Sequence, residues 1–142
     1  MAALAVACPF AAILLDAPCS GIGSLRRHPD IKHLRAEQDL IGYQQLQLAL
    51  LRNLWRVLAS AGNLLYCTCS LFQEENDNVV QQFLAQTEDA MHQPITAPLG
   101  QSTGYGWQLL PQPGVPEDVA ARPNPCHQID GFYYSLLSKK PA

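Results

Sequence analysis

The sequence predicts an α/β fold built on a thin, partly parallel sheet. Two strand-like apolar segments, residues 10–16 and 64–70, flank a long stretch with helical periodicity. A strand, a helix and a second strand form a right-handed crossover unit, so these two strands should be parallel. Two later strands, at 106–110 and 131–137, follow one another without a helix and should be antiparallel. We therefore expect about four strands and two main helices.

Composition limits the class of protein. The chain has 142 residues, of which 48 % are hydrophobic and 15 % are charged, which is typical of a folded domain. A net charge of −3 argues against a globally basic nucleic-acid binder. The five cysteines are irregularly spaced, so we expect no disulfide framework, no metal site and reduced thiols in the cytoplasm. The apolar residues 1–15 lack a preceding basic residue and a cleavage motif and are too short to span a bilayer, which argues against a signal peptide or membrane anchor.

The first strand, residues 10–16, is continuously apolar, as in strands that are covered on both faces. Pro18 has no N–H to donate and should stop the strand. Gly21-Ile22-Gly23 follows as a loop, whose glycines let the backbone pass close to a ligand or another loop. It is not a dinucleotide-binding fingerprint, because the third glycine is missing. Residues 26–35 continue as a loop or short helix, interrupted at Pro29.

Asp39 is expected to cap the long helix. The helix should end at residues 61–62, with Gly62 as a left-handed cap. Apolar residues at three- and four-residue steps form the buried stripe: Tyr43, Leu46, Leu50, Leu51, Leu54, Trp55 and Leu58. The residues expected mainly on the opposite face are Gln44, Gln45, Gln47, Arg52 and Arg56.

The acidic stretch 74–76 is expected to open a second helix over residues 73–87. Its inward-facing residues are predicted to be Val79, Val80, Phe83 and Leu84. Residues 111–128 are rich in proline and indicate a long loop. The sheet is thin, and the strand at 10–16 would leave an apolar edge unpaired. We therefore interpret residues 1–142 as the carboxy-terminal part of a larger domain.

Two cysteines follow the two parallel strands, at the edge where open α/β sheets bind ligands. Cys19 follows the first strand and Cys69 ends the second, so both could face one pocket. If Cys69 lies at the amino end of a helix, exposed N–H groups would lower its pKa. The alternative is that each cysteine is a small buried hydrophobic residue. Cys67 lies deeper in its strand, and we assign it to packing.

Asp16 and a basic segment complete the set of candidate residues. Asp16 ends an apolar strand, where a partly desolvated carboxylate could bind a ligand or, with a raised pKa, donate a hydrogen bond. The alternative is a loop-capping aspartate. Arg26, Arg27, Lys32 and Arg35 form a local basic patch that could bind phosphate, or simply a solvated loop.

Three segments together resemble the Nop/Sun family of RNA cytosine-C5 methyltransferases. They are residues 16–21 (D-A-P-C-S-G), residues 27–30 (R-H-P-D) and the T-C-S of residues 68–70 with its following E-E-N. Gly131-Phe132-Tyr133 resembles the last strand of that family. The likeness extends from about residue 10 to residue 140, and residues 94–128 match poorly. D-A-P-C-S and T-C-S in this order are much more specific together than either is alone.

The resemblance implies a Rossmann-like fold that binds S-adenosyl-L-methionine and acts on RNA, with small-subunit ribosomal RNA as the expected class. Cys69 would be the nucleophile that adds to C6 of a cytosine, and Cys19 would assist release of the product. Asp16 and Pro18 would contact the cofactor, and Asp16 would also hydrogen-bond the cytosine ring as negative charge develops. Arg26, Arg27 and Lys32 would hold phosphates near a base that has left its stack.

The family's Gly-rich cofactor loop, its ribose-binding acid and its amino-terminal RNA-binding part have no counterpart in residues 1–142. We therefore expect a single partial catalytic domain whose activity alone is weak or lost. Two other functions remain open. One is a non-catalytic scaffold or interaction module, and the other is a thiol redox protein that uses Cys67 and Cys69.

Overall fold

A computed structural model describes residues 9–34, 36–111 and 129–142. The strands are β1 (Phe10–Asp16), β2 (Leu58–Thr68), β3 (Ala90–Gln93), β4 (Gln101–Ser102), β5 (Trp107–Leu109) and β6 (Phe132–Lys139). The helices are α1 (Ile31–Leu34), α2 (Glu37–Val57) and α3 (Asp77–Ala85), with a 3₁₀ turn at Ile22–Ser24. The sheet order is β1-β2-β6-β5-β4, and β3 also pairs with β6.

The sheet combines one parallel pair with antiparallel neighbours. β1 and β2 run parallel, in a register that places Asp16 beside Cys67. β6 is antiparallel to β2, β3 and β5, and β4 is antiparallel to β5. The predicted α/β class, the parallel pair and the antiparallel last pair are confirmed. Four strands were too few: the described residues form six, because β3 and β4 are too short to show a clear alternation.

The core lies between α2, α3 and one face of the sheet. Its fully buried side chains include Leu51 of α2, Phe83 of α3, Tyr66 of β2 and Tyr133 of β6. Apolar burial of this kind supplies most of the driving force for folding. On the opposite face, Leu14 of β1 is 67 % exposed, so the expectation that β1 is covered on both faces is wrong for the described residues.

α2 differs from its prediction at its beginning and along its length. Asp39 lies in the first turn instead of at the cap, and its carboxylate accepts a hydrogen bond of 2.8 Å from the backbone N–H of Ala36. Gln47 was predicted on the solvent face but is fully buried, whereas Leu46 is 45 % exposed. Gln47 tolerates burial because its amide N–H groups donate to the Pro18 carbonyl and to Glu75.

The end of α2 also differs. The helix stops at Val57 and passes directly into β2, so Gly62 is not its cap. Ala61, with φ 59°, takes the left-handed conformation instead. Gly62 is required for another reason: a Cβ there would lie 2.8 Å from the carbonyl oxygen of Ala59 and 3.0 Å from that of Ala11. The irregular register between Phe10 and Ala12 lies at this same place in the parallel pair.

The second helix is shorter than predicted. α3 begins at Asp77, because residues 73–76 form turns that bury Glu75 and Asn76. Val79, Val80 and Phe83 are fully buried as predicted, and Leu84 packs against the core. Most of the predicted loop at 111–128 lies outside the described residues. No helix in the described ranges is long and apolar enough to cross a membrane.

Candidate active site

Two thiols meet at the carboxyl end of the parallel strand pair. The loop after β1 carries Cys19 and the residue after β2 is Cys69, and their Sγ atoms lie 3.3 Å apart. Both side chains are partly exposed, so a ligand can reach them. The prediction that the two cysteines share one site at this sheet edge therefore agrees with the geometry.

The thiol contact divides the two cysteines into a donor and an acceptor. The hydrogen bond from the Cys19 thiol lowers the pKa of Cys69 to about 7, against an opposing effect of burial. The same bond, together with burial, raises the pKa of Cys19 well above its usual range. At neutral pH a large fraction of Cys69 is therefore thiolate, stabilised by a neutral Cys19 thiol. The sequence-based reason was wrong, because α3 begins only at Asp77 and its N-terminus does not hold Cys69.

Backbone contacts fix the position of the Cys69 loop. The N–H of Gly23 donates to the Cys69 carbonyl at 2.9 Å, and the N–H of Gly131 donates to the Gly23 carbonyl at 2.8 Å. A Cβ on Gly23 would lie 2.3 Å from the Gly131 oxygen and 2.8 Å from the Cys69 oxygen. The expected close approach of the glycine loop to another loop is therefore a contact between Gly23 and the backbone of the site.

Sequence reasoning missed the buried carboxylate of Glu75. This side chain is fully buried and accepts hydrogen bonds from the hydroxyls of Ser20 and Ser70, each at 2.5 Å. The available signal was that a serine follows each of the two cysteines. Residues 74–76 were instead interpreted as a helix opening, because a local pattern does not reveal a partner 55 positions away.

Asp16 lies at the end of β1 with an exposed side chain, so the expectation of partial desolvation is wrong. Its carboxylate lies 3.9 Å from the thiol of Cys67. Burial and this carboxylate raise the pKa of Cys67 to about 11. None of the ion pairs in the described residues includes Asp16, so its charge is available to a cationic ligand. Pro18 is exposed beside it.

Two residues of the basic patch form ion pairs within the protein. Arg26 and Arg27 form ion pairs with buried Asp130 at 3.4 Å and 2.5 Å, although their side chains remain 45 % and 54 % exposed. Lys32 is exposed and borders a cavity of about 320 Å³ whose other lining residues include Ser20 and Phe72. Arg35 lies outside the described residues. In the described part of the chain, no group of three His, Cys, Asp or Glu side chains could hold a metal ion.

Two of the described cysteines, Cys67 and Cys69, should differ sharply in reactivity. We expect alkylation of Cys69 by iodoacetamide to rise with a midpoint near pH 7, because only the thiolate reacts. Cys67, with a pKa of about 11, should stay nearly unreactive at pH 7. Site-resolved mass spectrometry of peptides labelled briefly between pH 5 and pH 11 measures both profiles. Equal rates for Cys67 and Cys69 at pH 7 would contradict this assignment.

Known proteins are similar to this chain in both sequence and fold. A family model described as 16S rRNA methyltransferase RsmB/F matches residues 3–138. The probable ribosomal RNA small subunit methyltransferase B of Coxiella burnetii is 45 % identical over 132 residues, which are 93 % of this chain and 28 % of that protein. The corresponding protein of Xanthomonas campestris is 42 % identical over 131 residues, covering 92 % of this chain and 27 % of that protein.

A solved structure is also similar to this chain. The crystal structure of a methyltransferase homolog from Pyrococcus horikoshii matches with a TM-score of 0.68 and 28 % identity, over 94 % of this chain and 40 % of that one. The chain thus spans little more than a quarter of the length of the curated relatives. The family model covers nearly all of the chain, which confirms the resemblance to RNA methyltransferases and a Rossmann-like fold. The chain belongs to the 16S rRNA methyltransferase RsmB/F family.

Proposed function

We propose that this chain carries the catalytic cysteine pair of a methyltransferase that acts on C5 of a cytosine in small-subunit ribosomal RNA. Family membership supports the class of reaction and of substrate. The observation that carries the proposal is the 3.3 Å contact between the Cys19 and Cys69 sulfurs at the carboxyl edge of β1 and β2. This contact supplies a nucleophile and a proton-transfer group in one accessible place.

Cys69 is the nucleophile of the proposed reaction. Its thiolate forms a bond to C6 of the cytosine, and the electron pair of the C5–C6 double bond moves to C5 and into the ring. C5 thereby becomes nucleophilic enough to accept a methyl group. A thiol pKa of about 7 suits this step, because the thiolate is abundant at neutral pH while the sulfur keeps much of its nucleophilicity.

Cys19 changes its role after the addition. In the free protein its pKa is raised first of all by the hydrogen bond to Cys69. Once the Cys69 sulfur is bonded to carbon it no longer carries charge, so this effect disappears and the Cys19 thiol ionises more easily. The Cys19 thiolate then removes the C5 proton, the C6–S bond breaks, and Cys69 leaves as thiolate with the double bond restored.

Asp16 and Pro18 are the described residues that we assign to the cofactor side of the site. S-adenosyl-L-methionine supplies the methyl group when bound, and it carries positive charge on its sulfonium and ammonium groups. The exposed carboxylate of Asp16, which no ion pair among the described residues includes, fits such a ligand and lies at the ligand-binding edge of the sheet. Asp16 can also accept a hydrogen bond from the amino group of the cytosine.

RNA binding is assigned to the exposed cations of the segment that follows Cys19 in the chain. The side chains of Arg26 and Arg27 are 45 % and 54 % exposed while both pair with Asp130, and Lys32 is exposed. Guanidinium and ammonium groups bind phosphates in any sequence, so these contacts position the RNA and do not select the base. The target base must leave its stack to reach Cys69.

The adduct itself tests the proposal. When residues 1–142 are joined to the cofactor-binding part that the family supplies, we expect a covalent protein–RNA band that survives denaturing electrophoresis, formed with S-adenosyl-L-methionine and small-subunit ribosomal RNA that contains 5-azacytidine. Cys69→Ala should remove the band, because no thiolate is left to attack C6. Cys67→Ala is the matched control and should keep it, since Cys67 points away into the contact with Leu15 and Asp16. If that longer protein binds the cofactor and the RNA without forming any band, residues 1–142 are instead a non-catalytic scaffold.

A further inference from the structure

The site contains a buried carboxylate, that of Glu75, which has no role in the proposed reaction. Glu75 is fully buried, and none of the ion pairs in the described ranges includes it. A carboxylate is taken out of water only where hydrogen bonds replace its hydration. Glu75 has four such bonds, so its place in the interior is built by specific donors.

The donors of these bonds come from the two loops that carry the thiols. Oε1 accepts the backbone N–H of Ser20 at 2.7 Å and the amide of Gln47 at 3.2 Å. Oε2 accepts the hydroxyls of Ser20 and Ser70, each at 2.5 Å. Ser20 follows Cys19 directly, and Ser70 follows Cys69. One carboxylate therefore joins the two cysteine loops, one residue away from each sulfur.

The backbone of Glu75 is also held by a hydrogen bond. The backbone carbonyl of Glu75 accepts the Tyr66 hydroxyl at 2.6 Å, and Tyr66 is fully buried in β2. The next residue, Asn76, accepts the Thr68 hydroxyl and donates to the Ser70 carbonyl. Glu75 is thus held rigidly against β2 and can transmit that rigidity to both loops.

We propose that Glu75 is a positioning residue that holds the Cys19 and Cys69 sulfurs in contact, an inference that rests on the proposed function of the pair. Its charge does not help Cys69 ionise, because a nearby negative charge disfavours a thiolate. Glu75 therefore acts through geometry. Among the described residues, the titratable groups that face Cys69 are Cys19 from the loop after β1, Asp16 from β1, Cys67 from β2 and Glu75 itself.

Three variants separate geometry from charge. Glu75→Ala removes all four side-chain bonds. Glu75→Gln keeps the length and an acceptor for the Ser20 N–H, and its amide can donate to the two serine hydroxyls once they rotate. A double variant, Ser20→Ala with Ser70→Ala, removes the two hydroxyl donors but leaves the Glu75 side chain itself unchanged. It serves as the second test if Glu75→Ala does not fold.

The readout is the pH midpoint of Cys69 alkylation by iodoacetamide in the 142-residue chain, with thermal unfolding as the check of folding. We expect the Glu75→Ala midpoint to rise from about 7 towards the ordinary cysteine value, so that labelling at pH 6 slows roughly tenfold or more. The double serine variant should shift in the same direction. Glu75→Gln should restore a midpoint at or below that of the unaltered chain.

An unchanged midpoint in a folded Glu75→Ala chain, or in the folded double variant, overturns the inference. So does a Glu75→Gln midpoint as high as that of Glu75→Ala, since a side chain of the same length that keeps these hydrogen bonds would then fail to hold the two sulfurs in contact. The measurement needs no RNA and no cofactor. If the 5-azacytidine adduct fails while the midpoints move as expected, the proposed reaction is wrong and the positioning role of Glu75 stands.

Discussion

Gly23→Ala should be the most damaging single methyl addition near the site. The new Cβ would lie 2.3 Å from the Gly131 carbonyl oxygen and 2.8 Å from that of Cys69, both of them backbone atoms that cannot rotate away. Relief requires moving the loop after β1, the start of β6 or the Cys69 loop. We expect the free energy of unfolding to fall by about 3 kcal/mol, measured by urea denaturation.

The same variant should also disturb the thiols. The Gly23 N–H donates to the Cys69 carbonyl, so a displaced loop separates Cys69 from Cys19 and slows its alkylation at neutral pH. Gly42→Ala is the matched control, because Gly42 lies within α2 and a Cβ there meets no atom within 4 Å. It should stabilise the chain by about 0.5–1 kcal/mol. Equal stabilities for the two variants would show that the Gly23 contact is not tight.

Strands were predictable where an apolar run was long enough. The bounds of β1, residues 10–16, and the core of β6 follow directly from such runs. The end of α2 was not predictable, because Leu58 continues the helical stripe and is buried in either conformation. The pairing of β2 with β1 and β6 determines where the helix ends, because the extended chain then forms a parallel and an antiparallel ladder of hydrogen bonds.

The meeting of the two cysteines was predictable, but the residue that supports them was not. Cys19 and Cys69 end up together because two parallel strands must end at the same sheet edge, which a sequence pattern can show. The partner that holds them, Glu75, reaches Ser20 across 55 positions, and nothing local marks it as buried. The cause of the lowered Cys69 pKa was missed although the shared edge was predicted, because a strand pattern does not show that the two thiols form a hydrogen bond.

The alternative of a redox pair formed by Cys67 and Cys69 is not favoured by this arrangement. The Cys67 thiol donates to the Leu15 carbonyl and lies near Asp16, whereas the sulfur in contact with Cys69 is that of Cys19. The closeness of Cys19 and Cys69 would also suit oxidation. In the proposed reaction Cys69 adds to the cytosine and Cys19 releases the product. Because addition needs a nucleophile and release needs a base, substitutions can separate the two roles.

Replacing Cys19 should separate the two steps of the proposed reaction. Serine at this position can still donate a hydrogen bond to the Cys69 thiolate, so addition to C6 should continue. Its hydroxyl is far too weak an acid to become the base that removes the C5 proton. In a protein that also contains the family's cofactor-binding part, Cys19→Ser should therefore accumulate a covalent adduct with ordinary cytosine RNA, whereas the protein with Cys19 releases its product.

Cys19→Ala provides the contrast, because it removes the hydrogen bond as well. The Cys69 pKa should then rise from about 7 towards the ordinary value, and alkylation at pH 6 should slow by roughly thirtyfold. Adduct formation should slow with it, which denaturing electrophoresis at pH 6 and pH 9 measures, and the higher pH should restore much of the rate. If Cys19→Ser and Cys19→Ala behave alike at both pH values, the Cys19 thiol does not activate Cys69. If neither traps RNA, Cys19 is not the group that releases the product.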